Sequence, residues 1–374
     1  MNIIYFAHNV EDAAVLKRAR HLAERGAEVQ IVGFSRFTST PKNASTAIVL
    51  GRTYDGKFAQ RAFEIIKGMS RVSHFDDLLS QADAIICRNL EALIVGSWAR
   101  NRSGRDLPIH YECLDIHGKM LGSGPASKAL RLLERTLLNR ATSLITSSNA
   151  FVTEYFAPIQ NYRGRVNLLE NKLLTSDFAP EEFSARTPAS PPWIIGWFGI
   201  IRCRKSLLML NEIANERNVT IRIAGRVAQT QIPDFDEIIS ASAQLEFLGA
   251  YEAKDIPSLF GGCHFIWSVD YYEEGQNSAW LLPNRLYDSL AAKRVPIALK
   301  TVETGHWLIQ HEAGKLVSDP VKDLKEFFAA LTVEDFDSLQ DQVRAIPNDA
   351  IFHTNDSLNF LFEAASGNQV HDDR

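Results

Sequence analysis

Short apolar runs alternate with amphipathic segments along the chain and predict a repeated strand–helix–strand pattern. Residues 2–7 are apolar and predict a buried strand, while residues 10–25 carry apolar side chains at helical spacing. Gly26 ends that helix, and the run 28–34 predicts the next strand. This opening is typical of a Rossmann-like half-domain.

The same alternation continues to the end of the chain and predicts two α/β domains. In the first half we predict strands at 46–50, 84–88, 109–113, 143–147 and 166–169, with helices at 58–69, 90–100 and 127–141. In the second half we predict strands at 193–198, 219–226, 245–249, 264–269 and 295–299. At 374 residues the chain exceeds one ordinary core. The small, proline-rich stretch 184–192 is the predicted linker.

Composition narrows the classes of function. The net charge of −5 argues against a general nucleic-acid binder, so we expect no nucleic-acid partner. Cys87, Cys113, Cys203 and Cys263 are scattered without a CxxC pair, which favours neither a zinc site nor a disulfide framework. The N-terminus has no signal-peptide pattern, and no apolar run approaches the ~20 residues that span a bilayer. We expect a cytoplasmic protein.

Polar residues with phosphate-binding chemistry follow the predicted strand 264–269. Asn284 is predicted to cap a helix, and the unpaired N–H groups of a helix start suit a phosphate. Arg285, at the predicted first helical position, adds a guanidinium that fits phosphate oxygens. Asp288 lies one turn deeper, where its carboxylate suits a pair of ribose hydroxyls. The spacing equally allows a surface ion pair between Arg285 and Asp288, and both interpretations stay open.

A glycine turn follows another predicted strand and carries three cations. Gly199 begins this turn, and Arg202, Arg204 and Lys205 follow it. In a doubly wound sheet the turn and the helix start at Asn284 would face one crevice, which favours a phosphate-bearing ligand. The first turn of the chain lacks GxGxxG, so a dinucleotide site is not expected there.

Two features of the first half have a structural and a functional interpretation. His117 follows the predicted strand 109–113 and is either a structural residue or one that orients a substrate. Helix 127–141 places leucines on one side and cations, among them Arg131 and Arg135, on the other. That pattern fits a solvated helix face or a cationic strip on an anionic membrane surface.

Taken together, these motifs resemble the family 4 glycosyltransferases, which have two Rossmann-like domains in the arrangement called GT-B. The chain is most similar to the succinoglycan and exopolysaccharide biosynthesis enzymes of that family, most strongly from 193 to 317. Gly199 and Lys205 match the family's G-R-L-x-x-x-K-G turn, whose lysine meets the donor diphosphate. Ile200 stands at the arginine position of that motif, so we assign the arginine's role to Arg202.

The resemblance also supplies roles for other residues. Segment 283–288 resembles the P-N-K-x-Y-E motif, whose acid binds the ribose, and 303–305 matches the family's closing loop. Asp115 and His117 resemble its acceptor-side histidine segment. The implied donor-binding residues are Gly199, Asn284, Arg285, Tyr287, Asp288 and Glu303, and the implied catalytic residues are Arg202, Lys205 and His117.

The chain departs from the family pattern at two places. The family's paired glutamates lie eight residues apart, but Trp280 stands eight residues before Asp288. Glu273 and Glu274 are out of register, so the residue that contacts the donor sugar is unassigned. Lys293 replaces the glycine that usually ends the helix.

The resemblance implies an α/β fold of two Rossmann-like domains facing a cleft. The acceptor domain would span 1–182 and be joined by C-terminal helices at 350–374, and the donor domain would span 193–345. Two DxD triplets, 234–236 and 335–337, have the pattern of helix starts, so we expect no metal and no cofactor.

The implied reaction is a retaining transfer of a hexose from a nucleoside diphosphate sugar to a growing saccharide. Its expected partners are the nucleotide sugar, a saccharide or lipid-linked saccharide of an exopolysaccharide repeat unit, and the cytoplasmic face of the inner membrane. Two alternatives stay open. One is a sugar-nucleotide epimerase or phosphorylase on the same fold, and the other is a non-catalytic saccharide-binding subunit.

Overall fold

The structure is a computed structural model that describes residues 1–36, 47–53, 58–72, 75–177, 189–216 and 218–365. It divides into two compact units. Met1–Leu169 and the chain from Asn355 onward form the first unit, and Glu170–Thr354 form the second. Each unit carries its own parallel sheet, so the predicted α/β class with two Rossmann-like domains is confirmed.

In the described part of the first unit, seven parallel strands form one sheet in the order β3-β2-β1-β4-β5-β6-β7. Its elements are β1 (Asn2–Ala7), α1 (Ala13–Glu24), β2 (Glu28–Ser35), β3 (Ile48–Arg52), α2 (Phe58–Val72), α3 (Asp76–Gln81), β4 (Ala84–Arg88), α4 (Asn89–Ser103), β5 (Ile109–Glu112), α5 (Gly118–Leu121), α6 (Pro125–Leu138), β6 (Ser143–Thr146), α7 (Asn149–Phe151), a π-helical turn (Val152–Phe156) and β7 (Val166–Leu168). The order reverses between β1 and β4, which is the doubly wound arrangement that the opening pattern predicts.

The second unit repeats this plan with six described parallel strands in the order β10-β9-β8-β11-β12-β13. Its elements are β8 (Trp193–Ile201), α8 (Arg204–Ile213), β9 (Val219–Val227), α9 (Phe235–Ser240), β10 (Leu245–Phe247), α10 (Ile256–Gly261), β11 (Phe265–Trp267), α11 (Asn277–Trp280), α12 (Asn284–Ala291), β12 (Val295–Leu299), α13 (Glu303–Gln310), β13 (Lys315–Val317), α14 (Pro320–Ala330), α15 (Val333–Ala345) and α16 (Asn348–Ile351). Buried aromatic side chains, including Trp193, Trp197 and Trp267, fill the core between the sheet and its helices.

The division between the units differs from the predicted boundaries. Residues from Glu170 belong to the second unit, because Leu173 is buried in its core and forms a parallel bridge with Phe352. From Asn355 a short 3-10 turn and α17 (Asn359–Ala365) belong to the first unit, where Leu361 is buried against β1. Most of the predicted linker 184–192 and the end of the predicted segment 350–374 lie outside the described residues.

Some local boundaries also differ for identifiable reasons. α1 begins at Ala13 and not at residue 10, because the Asp12 carboxylate caps it and accepts from Ala14 N at 2.9 Å. β8 extends to Ile201, three residues past its predicted end, because it stays paired with β9 along its whole length. α8 then begins at Arg204, directly after Cys203, whose sulfur accepts from Ser206 N.

The prediction that one side of the helix at 127–141 packs its leucines inward holds in part, since Leu138 is buried and Leu130 and Leu137 are half-buried. In α6 the buried side chains are Glu134 and Leu138, whereas Leu132 and Leu133 are 62% and 40% exposed. The sequence pattern favours leucines inside. Glu134 also points inward, because Tyr111 and other first-unit residues hydrogen-bond its carboxylate in the interior.

Candidate functional site

Two glycines lie side by side at the carboxyl edge of the second sheet. Gly199 at φ 122° pairs in register with Gly225 at φ 144°. A Cβ on Gly225 would lie 1.7 Å from the carbonyl oxygen of Gly199, so only glycine fits there. This edge therefore presents bare backbone beside the turn that leads into α8. Gly199 was predicted from the sequence to belong to this site, whereas Gly225, which also stands near a strand end, was not.

Two cations of the turn are covered by the loop that follows β11. The Arg202 guanidinium lies 4.3 Å from the ring centroid of Tyr272, and the Lys205 ammonium lies 4.0 Å from that of Tyr271. Lys205 Nζ also lies 2.8 Å from both carboxylate oxygens of Glu274. Such stacked contacts are the cation–π arrangement. The loop thus supplies aromatic faces and one carboxylate to two of the cations singled out from the sequence.

Arg285 brings a third cation to the same place. Its Nη2 lies 3.8 Å from Asp270 Oδ2, and its side chain is 16% exposed. Burial lowers the pKa of Arg285, the charge of Asp270 opposes that shift, and the nearby charge of Arg202 adds to it. A guanidinium stays protonated in proteins, so the cluster holds several positive charges in a partly buried setting. Arginine is suited to bidentate phosphate recognition.

The start of α12 differs from the prediction in one detail. Asn284 does not cap the helix: Pro283 has the extended cap conformation, with φ −73° and ψ 150°, and forms no side-chain cap bond. Asn284 is instead the first helical residue and is exposed. Among the described residues, the cap position offers no side-chain acceptor to the first N–H groups of the helix, a feature that suits an external anion.

Three further predicted donor residues have distinct positions. Asp288 is 9% exposed. The burial of Tyr251, with the nearby charge of Asp288 adding to it, raises the pKa of that tyrosine to about 12. Tyr287 is fully buried and donates its hydroxyl to Glu170 Oε2 at 2.8 Å, so it supports the helix through packing. The side chain of Glu303, at the start of α13, is 21% exposed, and its Oε2 lies 3.7 Å from His306 Nδ1.

Two backbone positions fix the ends of these elements. Gly305 is required because a Cβ there would lie 1.9 Å from the Leu299 carbonyl oxygen, so α13 starts against the end of β12. Lys293 adopts φ 56° just after α12, in the left-handed region that glycine usually occupies. The lysine in place of the expected glycine therefore keeps the same backbone shape.

His117 belongs to the first unit and has a structural contact. It is exposed and caps α5, its Nδ1 accepting from Lys119 N at 3.1 Å. This capping bond gives His117 a structural role. Its substrate-orienting role stays a prediction.

The first unit also contains a buried ionic network that was not predicted from the sequence. Glu112 at the end of β5 is fully buried, with Arg18 Nε 2.9 Å from its Oε1 and Arg88 Nη1 3.2 Å from its Oε2. The Tyr5 hydroxyl donates to the same carboxylate. Burial alone would raise the pKa of Glu112, but the two guanidinium charges outweigh it and lower that pKa. Its parts come from four separate elements, β1, α1, β4 and β5, so no local pattern reveals it.

The two DxD triplets lie at the starts of α9 and α15. Asp234 pairs with Arg204, whose Nε lies 3.0 Å from its Oδ1, and the second DxD triplet lies inside α15. Within the described ranges, no three His, Cys, Asp or Glu side chains cluster as metal ligands. No described helix is both long and apolar enough to span a membrane.

Two doubly wound parallel sheets, one with a cationic glycine edge, characterise the two-domain class of glycosyltransferases. Residues 12–172 match the model of the glycosyl transferase 4-like domain. The chain is 37% identical over 367 residues to the succinoglycan biosynthesis protein ExoL of Rhizobium meliloti strain 1021, covering 95% of this chain and 91% of that protein.

Two solved structures share the fold across nearly the whole chain. The sucrose-phosphate synthase of Thermosynechococcus elongatus superposes with a TM-score of 0.73 at 13% identity, covering 97% of this chain and 98% of that one. The Anabaena protein HepE, in complex with UDP and glucose, has a TM-score of 0.71 at 15% identity and covers 98% and 100%. The chain therefore belongs to the glycosyl transferase 4-like family and is a glycosyltransferase.

Proposed function

We propose that this enzyme transfers a hexose from a nucleoside diphosphate sugar to a growing saccharide of exopolysaccharide biosynthesis. One observation carries the proposal. Arg202, Lys205 and Arg285 gather at the carboxyl edge of the second sheet, beside the bare backbone of Gly199 and Gly225. The relative ExoL is named for succinoglycan biosynthesis, and HepE was solved with UDP and glucose. Both support a nucleotide sugar as donor and a saccharide as product.

In this proposal the cations act on the leaving group. A departing nucleoside diphosphate gains negative charge in the transition state, and fixed positive groups aimed at it lower the barrier. Arg202 and Lys205 hold the diphosphate, and the uncapped start of α12 adds N–H donors. Asp288 accepts from the ribose hydroxyls, and the partly exposed Glu303 contacts the donor.

The finer features of the reaction belong to the same proposal. We infer retention of the anomeric configuration from the resemblance to the family 4 glycosyltransferases. We infer independence from a metal because the cations of the second unit supply the positive charge that a metal would otherwise supply. The acceptor is a saccharide carried on a lipid, and the enzyme works at the cytoplasmic face of the inner membrane. His117 orients that acceptor.

Mass spectrometry of products, from a panel of UDP- and GDP-hexoses and a lipid-linked oligosaccharide, tests the proposal. We expect the acceptor to gain one hexose mass, with equal yield in EDTA, and NMR of the anomeric proton to report the donor's configuration. Donor turnover without acceptor would favour an epimerase instead. A requirement for inorganic phosphate would favour a phosphorylase. Saccharide binding with no turnover and no binding of a nucleoside diphosphate in calorimetry would leave a non-catalytic saccharide-binding subunit.

A further inference from the structure

The loop that follows β11 contacts every cation of the proposed donor site. We call residues 270–276 the covering loop. The Arg202 guanidinium lies 4.3 Å from the ring centroid of its Tyr272, and the Lys205 ammonium lies 4.0 Å from that of its Tyr271. A cation is attracted to the face of an aromatic ring, and the ring shields that side of the cation from anions in solution. Two of the three donor cations are therefore partly covered in the free protein.

The covering loop also brings two carboxylates to these cations. Lys205 Nζ lies 2.8 Å from both carboxylate oxygens of Glu274, and Arg285 Nη2 lies 3.8 Å from Asp270 Oδ2. A carboxylate offers an ammonium or a guanidinium anionic oxygens of the kind that a phosphate offers. The loop therefore places its own anions where the diphosphate of the donor is proposed to bind.

The remaining cation of the glycine turn has a partner from a different segment. Arg204 follows the same turn but pairs with Asp234, which lies directly before α9. Arg204 has no role in the proposed donor site. Among the contacts of the described residues, those of the covering loop thus coincide with the proposed donor cations and not with positive charge in general.

The backbone of the covering loop is held by local hydrogen bonds. The Tyr272 N–H donates to Asp270 Oδ1 at 2.8 Å, and the Glu273 N–H donates to Ser278 Oγ at 2.9 Å. Gly275 adopts φ 75° within the same loop, in the left-handed region that favours glycine. Local bonds in a surface loop open at a lower free-energy cost than the core of a protein. The loop can therefore leave the cations while the second sheet stays folded.

We propose that the covering loop is an autoinhibitory lid, which occupies the three donor cations in the free enzyme and is displaced by the diphosphate of the incoming nucleotide. The inference rests on the proposed function, because it takes these cations to be the donor site. It implies that the free enzyme binds a nucleoside diphosphate more weakly than the cations alone would, since the contacts of the loop must be broken first. Weakening those contacts is then expected to tighten nucleotide binding.

Hydrogen exchange measured by mass spectrometry, on the full chain with and without UDP, tests whether the loop is displaced. Peptides that cover 270–276 include the hydrogen-bonded amides of Tyr272 and Glu273, which are expected to be protected in the free protein. Saturating UDP is expected to remove this protection and to add protection over 199–206. A ligand ordinarily slows exchange in a segment that closes on it. Unchanged or slower exchange over 270–276 with bound UDP would therefore overturn the proposal.

Substitutions of the two tyrosines test whether the loop competes with the nucleotide. Tyr271→Ala and Tyr272→Ala are each expected to tighten UDP binding in calorimetry by about two- to fivefold, the worth of an exposed cation–π contact. Tyr271→Phe and Tyr272→Phe are the matched controls, since they keep the ring, and are expected to bind UDP as wild type does. Tyr272 is 39% exposed, so its variants remain informative if Tyr271→Ala fails to fold. Weaker or unchanged binding by Tyr272→Ala would contradict the lid, since the loop would then assist the nucleotide or be indifferent to it.

The transfer assay separates this inference from the proposed function. If UDP displaces the loop and the alanine variants bind it more tightly, yet wild-type protein transfers no sugar, the lid stands and the proposed function fails. If wild-type protein transfers a hexose while exchange over 270–276 slows with UDP, the proposed function stands and the lid is refuted. If neither wild type nor the variants bind UDP or GDP, the donor site fails together with the lid that rests on it.

Discussion

Replacing Lys205 with alanine tests whether the glycine turn holds the donor diphosphate. In the free protein this lysine pairs with Glu274, both oxygens lying 2.8 Å from its Nζ. Its side chain is 45% exposed and that of Glu274 is 58% exposed. Donor binding must therefore exchange one anionic partner of Lys205 for another, and the expected loss of affinity is the difference between the two.

The two contributions can be compared directly. A hydrogen bond to a charged group contributes roughly 1.5–3 kcal/mol, whereas an exposed ion pair contributes roughly 0.2–1 kcal/mol. The net loss for Lys205→Ala is then about 1–2 kcal/mol, or about five- to thirtyfold in the dissociation constant for UDP or GDP. Glu274→Gln removes the competing anion and is expected to tighten nucleotide binding by up to about fivefold.

Isothermal titration calorimetry with UDP and GDP measures both changes. Arg204→Ala is the matched control, since this neighbouring arginine of the same turn pairs with Asp234 on the surface. It is expected to leave nucleotide affinity unchanged. The double variant Lys205→Ala/Glu274→Gln is expected to bind nucleotide with the same affinity as Lys205→Ala alone, because no lysine remains for the loss of the Glu274 charge to release. Unchanged affinity in Lys205→Ala, or equal losses in Lys205→Ala and Arg204→Ala, would refute the reasoning.

Two more predictions follow from named contacts. Asp288→Asn is expected to lower the affinity for UDP and to narrow the preference for UDP over 2′-deoxy-UDP, because a carboxylate left without a hydroxyl partner is what penalises the deoxy nucleotide. If calorimetry gives the same ratio of the two affinities for wild type and variant, the assignment of Asp288 to the ribose is refuted. Glu112→Gln is expected to cost about 3–5 kcal/mol of unfolding free energy at pH 7 in urea titrations, because Arg18 and Arg88 would lose their buried partner. Since the folded-state pKa of Glu112 is lowered, its contribution is complete above the ordinary value of 4.5 and is lost as pH falls below it, so the gap between wild type and variant shrinks in acid. Glu246→Gln, which breaks an exposed pair, is the control and is expected to cost under about 1 kcal/mol.

The repeated strand–helix pattern was enough to predict the fold class, because the apolar residues of each strand indicate on their own that the strand is buried. The strand predicted at 84–88 matches β4, and 295–299 matches β12. The glycine turn and the helix start at Asn284 were also visible, since each is a local motif at a strand end. The hydrogen-bond and ion-pair partners of the side chains could not be predicted in the same way, because they come from chain segments distant in sequence.

The loop after β11 illustrates what local patterns miss. Glu274 is out of register for the family's glutamate pair and therefore had no assigned role, yet it contacts Lys205, 69 positions earlier. The inward position of Glu134 in α6 was not predicted for the same reason: leucine spacing describes the helix alone, whereas Tyr111 and Tyr155, which hydrogen-bond Glu134, come from other segments. Periodicity describes one segment, whereas these contacts are properties of the folded chain.

A crystal structure of the enzyme with bound UDP tests the central claim most directly. We predict the diphosphate within hydrogen-bond distance of Arg202 and Lys205, with Glu274 displaced from the lysine and the ribose hydroxyls on Asp288. A nucleotide bound elsewhere, or a diphosphate that touches neither cation while the Lys205–Glu274 pair stays intact, would contradict the account.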